Sequence, residues 1–110
     1  MSELRRVEWS PVAVTDLEDI LDFIARRESP ERARLVHAGV ARRIASLTKH
    51  PLRGRIVPEL KRIGVTAFRE LVVAPYRIFF RIDGPLVGIV GILDGRRDIA
   101  DLLAMRGWKV

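Results

Sequence analysis

Arginines alternate with apolar residues in the stretch YRIFFRIDG, residues 76–84, and two more arginines follow in GRRD, residues 95–98. A guanidinium group is a planar fork of N–H donors that fits phosphate or carboxylate oxygens, and aromatic neighbours add a stacking surface. Three interpretations fit this pattern: a surface that binds nucleic acid, a surface that receives an acidic or amphipathic protein segment, or a polar sheet face exposed to solvent.

The positive charge is concentrated in the middle of the chain. The formal net charge is +6, yet residues 1–28 hold 4 basic and 7 acidic side chains, whereas residues 29–82 hold 12 basic and 3 acidic ones. A field of this kind steers anionic partners towards the protein and makes any affinity for nucleic acid dependent on salt. Charge alone does not identify the partner, because many small domains are equally basic.

The length and composition indicate one globular domain spanning residues 1–110. The absence of cysteine excludes disulfides and thiol chemistry. No apolar run approaches the roughly 18 residues of a membrane helix, and the first residues do not resemble a signal peptide, so we expect a cytoplasmic protein that does not bind membranes. His37 and His50 are too isolated to suggest a metal site, and we expect neither a metal nor a cofactor.

Two serine–proline pairs predict the starts of two helices. Ser10 and Ser29 are good N-cap residues, and the proline that follows each is favoured at the first helical position. Apolar residues then recur at helical spacing, and the second helix is expected to end before Pro51. The first helix also carries a group of carboxylates, which we interpret as a solvated face rather than a metal site: Asp16, Glu18, Asp19 and Asp22.

The remaining segments predict an α+β fold of strand, helix, helix and then a three-stranded antiparallel meander. Both helices are expected on one face of the sheet. Residues 51–64 contain two prolines and two glycines, which is typical of an irregular loop with a short edge strand. The predicted strands are 4–9, 66–73, 76–83 and 86–94, and a short C-terminal helix is predicted at 98–106.

A two-residue turn at Ala74–Pro75 would fix which side chains share a face, because directly opposed residues of paired strands point the same way. Arg69 would then lie on the core side near the sheet edge, in a structural role with a carboxylate as its partner. Arg77 and Arg81 would face away from the helices, and the GRRD corner would bring Arg96 or Arg97 near them. The core side would collect Leu71, Val73, Tyr76, Ile78 and Phe80, and the opposite side Phe68, Glu70, Val72, Arg77, Phe79 and Arg81.

The sequence resembles the RelE/ParE superfamily of bacterial type II toxins over essentially its whole length. The segments that carry the resemblance are WSPVAVTDLEDILDFI, SPERA, GRIVPEL, RELVVAPYRIFFRI and GRRD, in this order. The resemblance implies two helices packed on an antiparallel sheet, and a growth-inhibiting toxin that a co-expressed antitoxin wraps and neutralises. It also implies that operator DNA is contacted only through the toxin–antitoxin complex.

Two branches of the superfamily imply different activities. The RelE-like branch cuts mRNA in the ribosomal A site, whereas the ParE-like branch is known for poisoning DNA gyrase. Cleavage needs a base for the ribose hydroxyl, cations for the phosphate and an acid for the leaving oxygen. Arg77 and Arg97 match two arginines of the cleaving toxins. The positions of their two strand lysines and their C-terminal tyrosine hold Phe68, Glu70 and Leu103 instead.

These replacements favour the ParE-like branch, because a phenylalanine, a carboxylate and a leucine do not stabilise a phosphate transition state. We therefore expect a toxin that binds gyrase. The alternative is a ribosome-dependent endoribonuclease that uses Arg77 and Arg97, with Glu70 as the base. A third interpretation is a non-toxic module that only binds an antitoxin. The residues expected to contact the target or the antitoxin are Arg77, Arg81, Arg96, Arg97 and Trp108, with Tyr76 as either an apolar contact or a core residue.

Overall fold

A computed structural model describes residues 4–95, which form one five-stranded sheet and three α-helices. Two short 3-10 turns follow the second helix, at Ser46–Thr48 and Pro51–Arg53. None of the helices in this part of the chain has the length and hydropathy that crossing a bilayer requires. The helix predicted at 98–106 lies outside the described residues. The elements are β1 Arg6–Trp9, α1 Pro11–Arg27, α2 Pro30–Ala45, β2 Arg55–Ile56, α3 Pro58–Lys61, β3 Phe68–Val73, β4 Tyr76–Asp83 and β5 Leu86–Asp94.

The first two helices begin where the serine–proline pairs predict. Ser10 Oγ accepts a hydrogen bond from the backbone N–H of Ala13 at 3.0 Å, and Ser29 Oγ accepts one from Arg32 at 3.0 Å. Each bond satisfies one of the donors that a helix start leaves unpaired. The apolar stripes of α1 and α2 pack on one face of the sheet with Leu71, Ile78 and Phe80. The α+β fold and the placement of both helices are therefore confirmed.

The strands lie in the order β1-β5-β4-β3-β2. β1 pairs with β5 in parallel, and the other neighbours are antiparallel. The predicted register is confirmed, since Val73 pairs with Tyr76 across the Ala74–Pro75 turn and Phe68 pairs with Arg81. The two-residue β2 is the short edge strand expected between residues 51 and 64.

A bulge in β5 keeps its apolar residues on the correct faces. Phe79 pairs with Gly91, but the next residue, Phe80, pairs with Ile89, so Val90 is the extra residue. The bulge reverses the alternation, because one inserted residue moves every later side chain to the opposite face. Ile89 and Ile92 therefore both reach the core beneath the helices although three positions separate them.

The face of the sheet away from α1 and α2 is covered, which corrects the expectation of an open face. Residues 57–65, which follow the edge strand β2 and which we call the covering segment, fold over it, and the predicted irregular loop contains the four-residue helix α3. Just before this segment the chain passes the sheet edge, where Gly54 lies against the ring of Phe80, a residue of the core beneath the helices, and leaves no room for a Cβ. The apolar side chains gathered between the covering segment and the sheet, which we call the second core, are Val57, Leu60, Phe68, Phe79 and Leu93.

Beyond the end of β1, the N-cap residue of α1 and a side chain of α1 form hydrogen bonds with backbone groups of β5. Ser10 N donates to Ile89 O at 2.9 Å. Asp16 Oδ2 accepts a hydrogen bond from Ile92 N at 3.0 Å. Asp16 is therefore a structural acceptor, and its assignment to a solvated helix face was wrong. Together these two hydrogen bonds fix the position of the first part of α1 relative to β5.

We expect Asp16→Ala to lower the free energy of unfolding by about 1–2 kcal/mol, because it leaves the Ile92 N–H without its acceptor. Urea unfolding at neutral pH measures this change. Asp19→Ala is the matched control, since this exposed carboxylate lies on the same helix, and it should change stability by less than about 0.5 kcal/mol. Equal effects of the two substitutions would contradict the role of Asp16.

Candidate target-binding site

Arg77 and Arg81 lie on the predicted face of the sheet, but in different environments. The side chain of Arg77 is 10% exposed, whereas Arg81 is exposed. The difference arises because the covering segment, which contains α3, lies over the sheet at Arg77. The two arginines are therefore not equivalent as contacts for a partner.

The guanidinium of Arg77 binds two carboxylates at once. Its Nη1 and Nη2 atoms donate to Glu59 Oε2 and Oε1 at 2.6 and 2.8 Å, which is a bidentate pair. Its Nε atom donates to Glu70 Oε1 at 2.7 Å. Glu59 comes from α3 and Glu70 from β3, so Arg77 joins the covering segment to the sheet. Most of the donor fork of Arg77 is occupied within the protein.

Glu70 is fully buried and both of its oxygens accept hydrogen bonds. Oε1 accepts from Arg77, and Oε2 accepts from Arg55 Nε at 2.8 Å. Arg55 lies directly opposite Glu70 in the β2–β3 pair, which explains this contact. Two arginines and two glutamates thus form one network without net charge, which we call the Arg77 ion cluster: Arg55, Glu59, Glu70 and Arg77.

The cluster stabilises the charged states of Glu59 and Arg77. The hydrogen bond from Arg77 lowers the pKa of Glu59 to about 2, although partial burial opposes this shift. The hydrogen bonds that Arg77 donates to Glu59 are also the largest cause that raises the pKa of Arg77. A shallow cleft of about 290 Å³ lies beside the cluster and is lined by Arg55, Glu59, Val72 and Arg77 among others. Because the cluster is neutral, it has no surplus of positive charge for a phosphate group.

The aromatic residues of this face are buried and do not form a stacking platform. Phe68 and Phe79 are 3% and 1% exposed. The Arg77 guanidinium carbon lies 5.1 Å from the Phe79 ring centre, and that of Arg81 lies 5.7 Å from the Phe68 ring centre. Among residues 4–95, no carboxylate forms an ion pair with Arg81. Arg81 is therefore an exposed cation of this face that no carboxylate of the described residues neutralises.

Three other predictions have different outcomes. Tyr76 packs half-buried against the main core, as in its core interpretation. Arg69 has the predicted structural role, but its partner is the carbonyl of Gly54, at 2.8 Å, rather than a carboxylate. Gly95, the first residue of GRRD, donates to Pro75 O at 2.7 Å and lies beside the stem of Arg77. Arg96, Arg97, Leu103 and Trp108 lie outside the described residues, so their roles remain predictions.

One protein family matches residues 7–99, the ParE toxin of the type II toxin–antitoxin system parDE. The chain belongs to this family. Comparison with curated proteins finds no match. A chain of the chromosomal ParDE toxin–antitoxin system from P. aeruginosa has a similar structure, with a TM-score of 0.71 and 23% identity, and the match covers 84% of this chain and 98% of that one.

A chain of the RelBE2 toxin–antitoxin complex from Mycobacterium tuberculosis is also similar. Its TM-score is 0.57 at 21% identity, over 86% of this chain and 94% of that one. At these identities the two likenesses concern the fold. They confirm that the described chain has the architecture shared by ParE and RelE toxins, and the family match identifies it as a ParE-type toxin of a type II system.

In this ParE toxin, Glu59 and Arg55 were not predicted from the sequence as the partners of Arg77 and Glu70. A signal was present in GRIVPEL, because Pro58 favours a helix start and Glu59 is the acidic residue in an otherwise basic stretch. A buried arginine on a sheet face needs a carboxylate, and Glu59 was available to supply it. The pattern did not show that the segment folds back over β4.

We expect Glu59 to make the stability of the toxin depend on pH in a defined range. Its pKa is lower in the folded chain than the ordinary 4.5, so its contribution is fully present above pH 4.5 and is lost as the pH falls towards about 2. Since the side chain is 33% exposed, solvent screening limits this contribution to about 1–2 kcal/mol. Urea unfolding at pH 7 and pH 3 should show a smaller loss for Glu59→Gln than for the wild type.

The matched control for this experiment is Glu31→Gln. Glu31 also pairs with an arginine, Arg34, but both side chains are about 70% exposed. An exposed pair of this kind contributes little, so the control should follow the pH dependence of the wild type within about 0.5 kcal/mol. If Glu59→Gln also follows the wild type, the ion pair with Arg77 does not stabilise the fold.

Proposed function

We propose that this ParE toxin inhibits growth by binding DNA gyrase, that it does not cut mRNA, and that a cognate antitoxin neutralises it. The observation that carries the choice between the two activities is the buried, doubly paired carboxylate of Glu70. The gyrase target itself is supported by membership of the ParE family, which is an argument by analogy.

The Arg77 ion cluster argues against cleavage of RNA. A general base must lie within hydrogen-bond reach of the ribose hydroxyl, yet Glu70 is fully buried and both of its oxygens are bound to arginines. Exposing Glu70 would break buried ion pairs, at a cost of about 3–5 kcal/mol. Phe68, at the other position where cleaving toxins have a lysine, lies in the second core. Neither residue supplies an acid, a base or a cation to a phosphate.

Binding a partner requires exposed contacts on this surface but no acid or base, because no bond is cleaved. Arg81 is exposed and rests on the ring of Phe68, which limits its conformations before a partner arrives. Arg96, Arg97 and Trp108 follow β5 in the sequence, and we keep them as predicted contacts. An arginine group with an aromatic residue is the composition that protein interfaces favour at their most important contacts.

The antitoxin is proposed from the family and from the structural relatives. The two similar structures named above come from toxin–antitoxin systems, and the matching family is a toxin of a type II toxin–antitoxin system. In this proposal operator DNA is contacted through the toxin–antitoxin complex. An antitoxin-binding module without toxicity is the outcome if the chain expressed alone leaves growth unchanged.

A gyrase assay with purified toxin, relaxed and supercoiled plasmid and ATP tests the proposal. We expect inhibition of supercoiling or trapped double-strand cleavage. Arg81→Ala should require at least about tenfold more protein for the same effect, while its melting temperature stays unchanged. Arg42→Ala, which removes an exposed arginine from α2, is the matched control and should stay within about twofold of the wild type.

Two results would overturn the proposal. The first is a toxin that arrests growth in cells, leaves gyrase unaffected and cuts mRNA on purified ribosomes, which would assign the chain to the cleaving branch. The second is inhibition of gyrase to which Arg81→Ala and Arg42→Ala respond alike, which would remove Arg81 from the contact surface.

A further inference from the structure

A second basic surface lies away from the Arg77 ion cluster and shares no residue with it. It is an open cleft of about 440 Å³, which we call the Lys49 cleft. The chain before β1 forms one side, and the two 3-10 turns after α2 form the other. Its lining consists of Arg5, Lys49, His50, Pro51, Leu52 and Arg53.

Backbone hydrogen bonds fix the shape of the Lys49 cleft. Arg5 N donates to Thr48 O at 2.8 Å, which holds the start of β1 against the first turn. His50 N donates to Ser46 O at 3.0 Å, and Arg53 N donates to His50 O at 3.1 Å. Arg5 Nε also donates to Gly84 O at 3.2 Å, so its guanidinium is oriented by the β4–β5 turn. The cations are thus held on a preformed framework.

The charges of the Lys49 cleft are not compensated within the part of the chain described. Neither Arg5, Lys49 nor Arg53 forms an ion pair with a carboxylate of residues 4–95, in contrast to Arg55 and Arg77. Three positively charged residues therefore line one concave surface. Such a surface attracts an anionic partner and gives its charge-assisted hydrogen bonds a fixed geometry.

The apolar residues of the same region narrow the class of partner. Leu52 lines the cleft and is 70% exposed, and Leu4, next to Arg5 in the chain, is 66% exposed. A phosphate backbone pairs with the cations but leaves these leucines in water. A protein segment that alternates acidic and apolar residues pairs with the cations and also buries the leucines, which is favourable in proportion to the area covered.

We propose that the Lys49 cleft binds an acidic segment of the antitoxin in which carboxylates alternate with apolar side chains. The identity of the partner as the antitoxin rests on the proposed function, whereas the binding chemistry rests on the cleft. Carboxylates of the segment pair with Arg5, Lys49 and Arg53, and its apolar residues cover Leu52. The antitoxin would then hold the toxin at a surface separate from Arg81.

The test is an NMR titration of the ¹⁵N-labelled full chain with a synthetic peptide of about 12 alternating glutamates and leucines. We expect saturable shifts of the backbone amides of Lys49, His50, Leu52 and Arg53. The double substitution Lys49→Glu with Arg53→Glu should weaken binding at least about tenfold, while an unchanged spectrum elsewhere confirms the fold. NMR detects even millimolar affinity, so the absence of shifts at these amides would overturn the proposal.

The matched control is Lys61→Glu with Arg32→Glu, which makes the same change in net charge at two exposed sites outside the cleft. Glutamate at position 32 is also compatible with the start of α2, because it follows the N-cap Ser29 by three residues. This control should bind the peptide within about twofold of the wild type. Equal losses in both double variants would overturn the proposal in favour of non-specific attraction.

A further substitution and a second probe separate the two kinds of partner. Leu52→Ser keeps every charge and should weaken peptide binding about threefold or more, because the apolar cover is lost. A single-stranded oligodeoxynucleotide of equal charge should bind more weakly than the peptide. Stronger binding of the oligonucleotide at the same amides would overturn the proposal and assign the cleft to nucleic acid. The gyrase assay contains no antitoxin or peptide, so the two proposals fail independently.

Discussion

The pairing of one guanidinium, that of Arg77, with two carboxylates determines where the covering segment lies on the sheet of this toxin. Arg77 belongs to the central strand β4, Glu70 to its neighbour β3, and Glu59 to a helix of four residues that cannot be stable alone. By joining them, Arg77 holds the covering segment over Phe68 and Phe79, which would otherwise be exposed. Breaking such a buried pair is costly, although replacing the whole group with apolar residues can be nearly neutral. We therefore interpret the cluster as fixing one position of the segment on the sheet.

This constraint separates the structural arginines from those that remain for function. Arg55, Arg69 and Arg77 are bound to carboxylates or a carbonyl within the chain. Arg81 and the cations of the Lys49 cleft have no carboxylate partner in the described part of the chain. Arg81 and the Lys49 cleft are thus two separate basic surfaces with no residue in common, and in our proposals two partners bind them without competing for the same residues.

Much of the fold could be predicted from the sequence because its signals are local. The serine caps fixed the starts of α1 and α2, and a two-residue turn fixed the register of β3 and β4, so the face of every residue in the hairpin was correct. The cover over the far face was missed, since a helix of four residues has no periodicity. The Arg77–Glu59 pair spans 18 positions and depends on tertiary structure. Phe68 and Phe79 on the supposed open face were nevertheless a signal, because two large aromatic residues on one face predict that something covers them.

The central claim is that Arg77 acts within the toxin, as the link between the covering segment and the sheet. A double-mutant cycle with Arg77→Met and Glu59→Gln, followed by urea unfolding at neutral pH, tests it most directly. Methionine retains much of the length of the side chain without its charge, so the cycle isolates the ion pair. The account predicts a favourable coupling of about 1–3 kcal/mol between the two residues. If the two changes in the free energy of unfolding simply add, this contradicts the claim, and Arg77 becomes a candidate contact for a partner again.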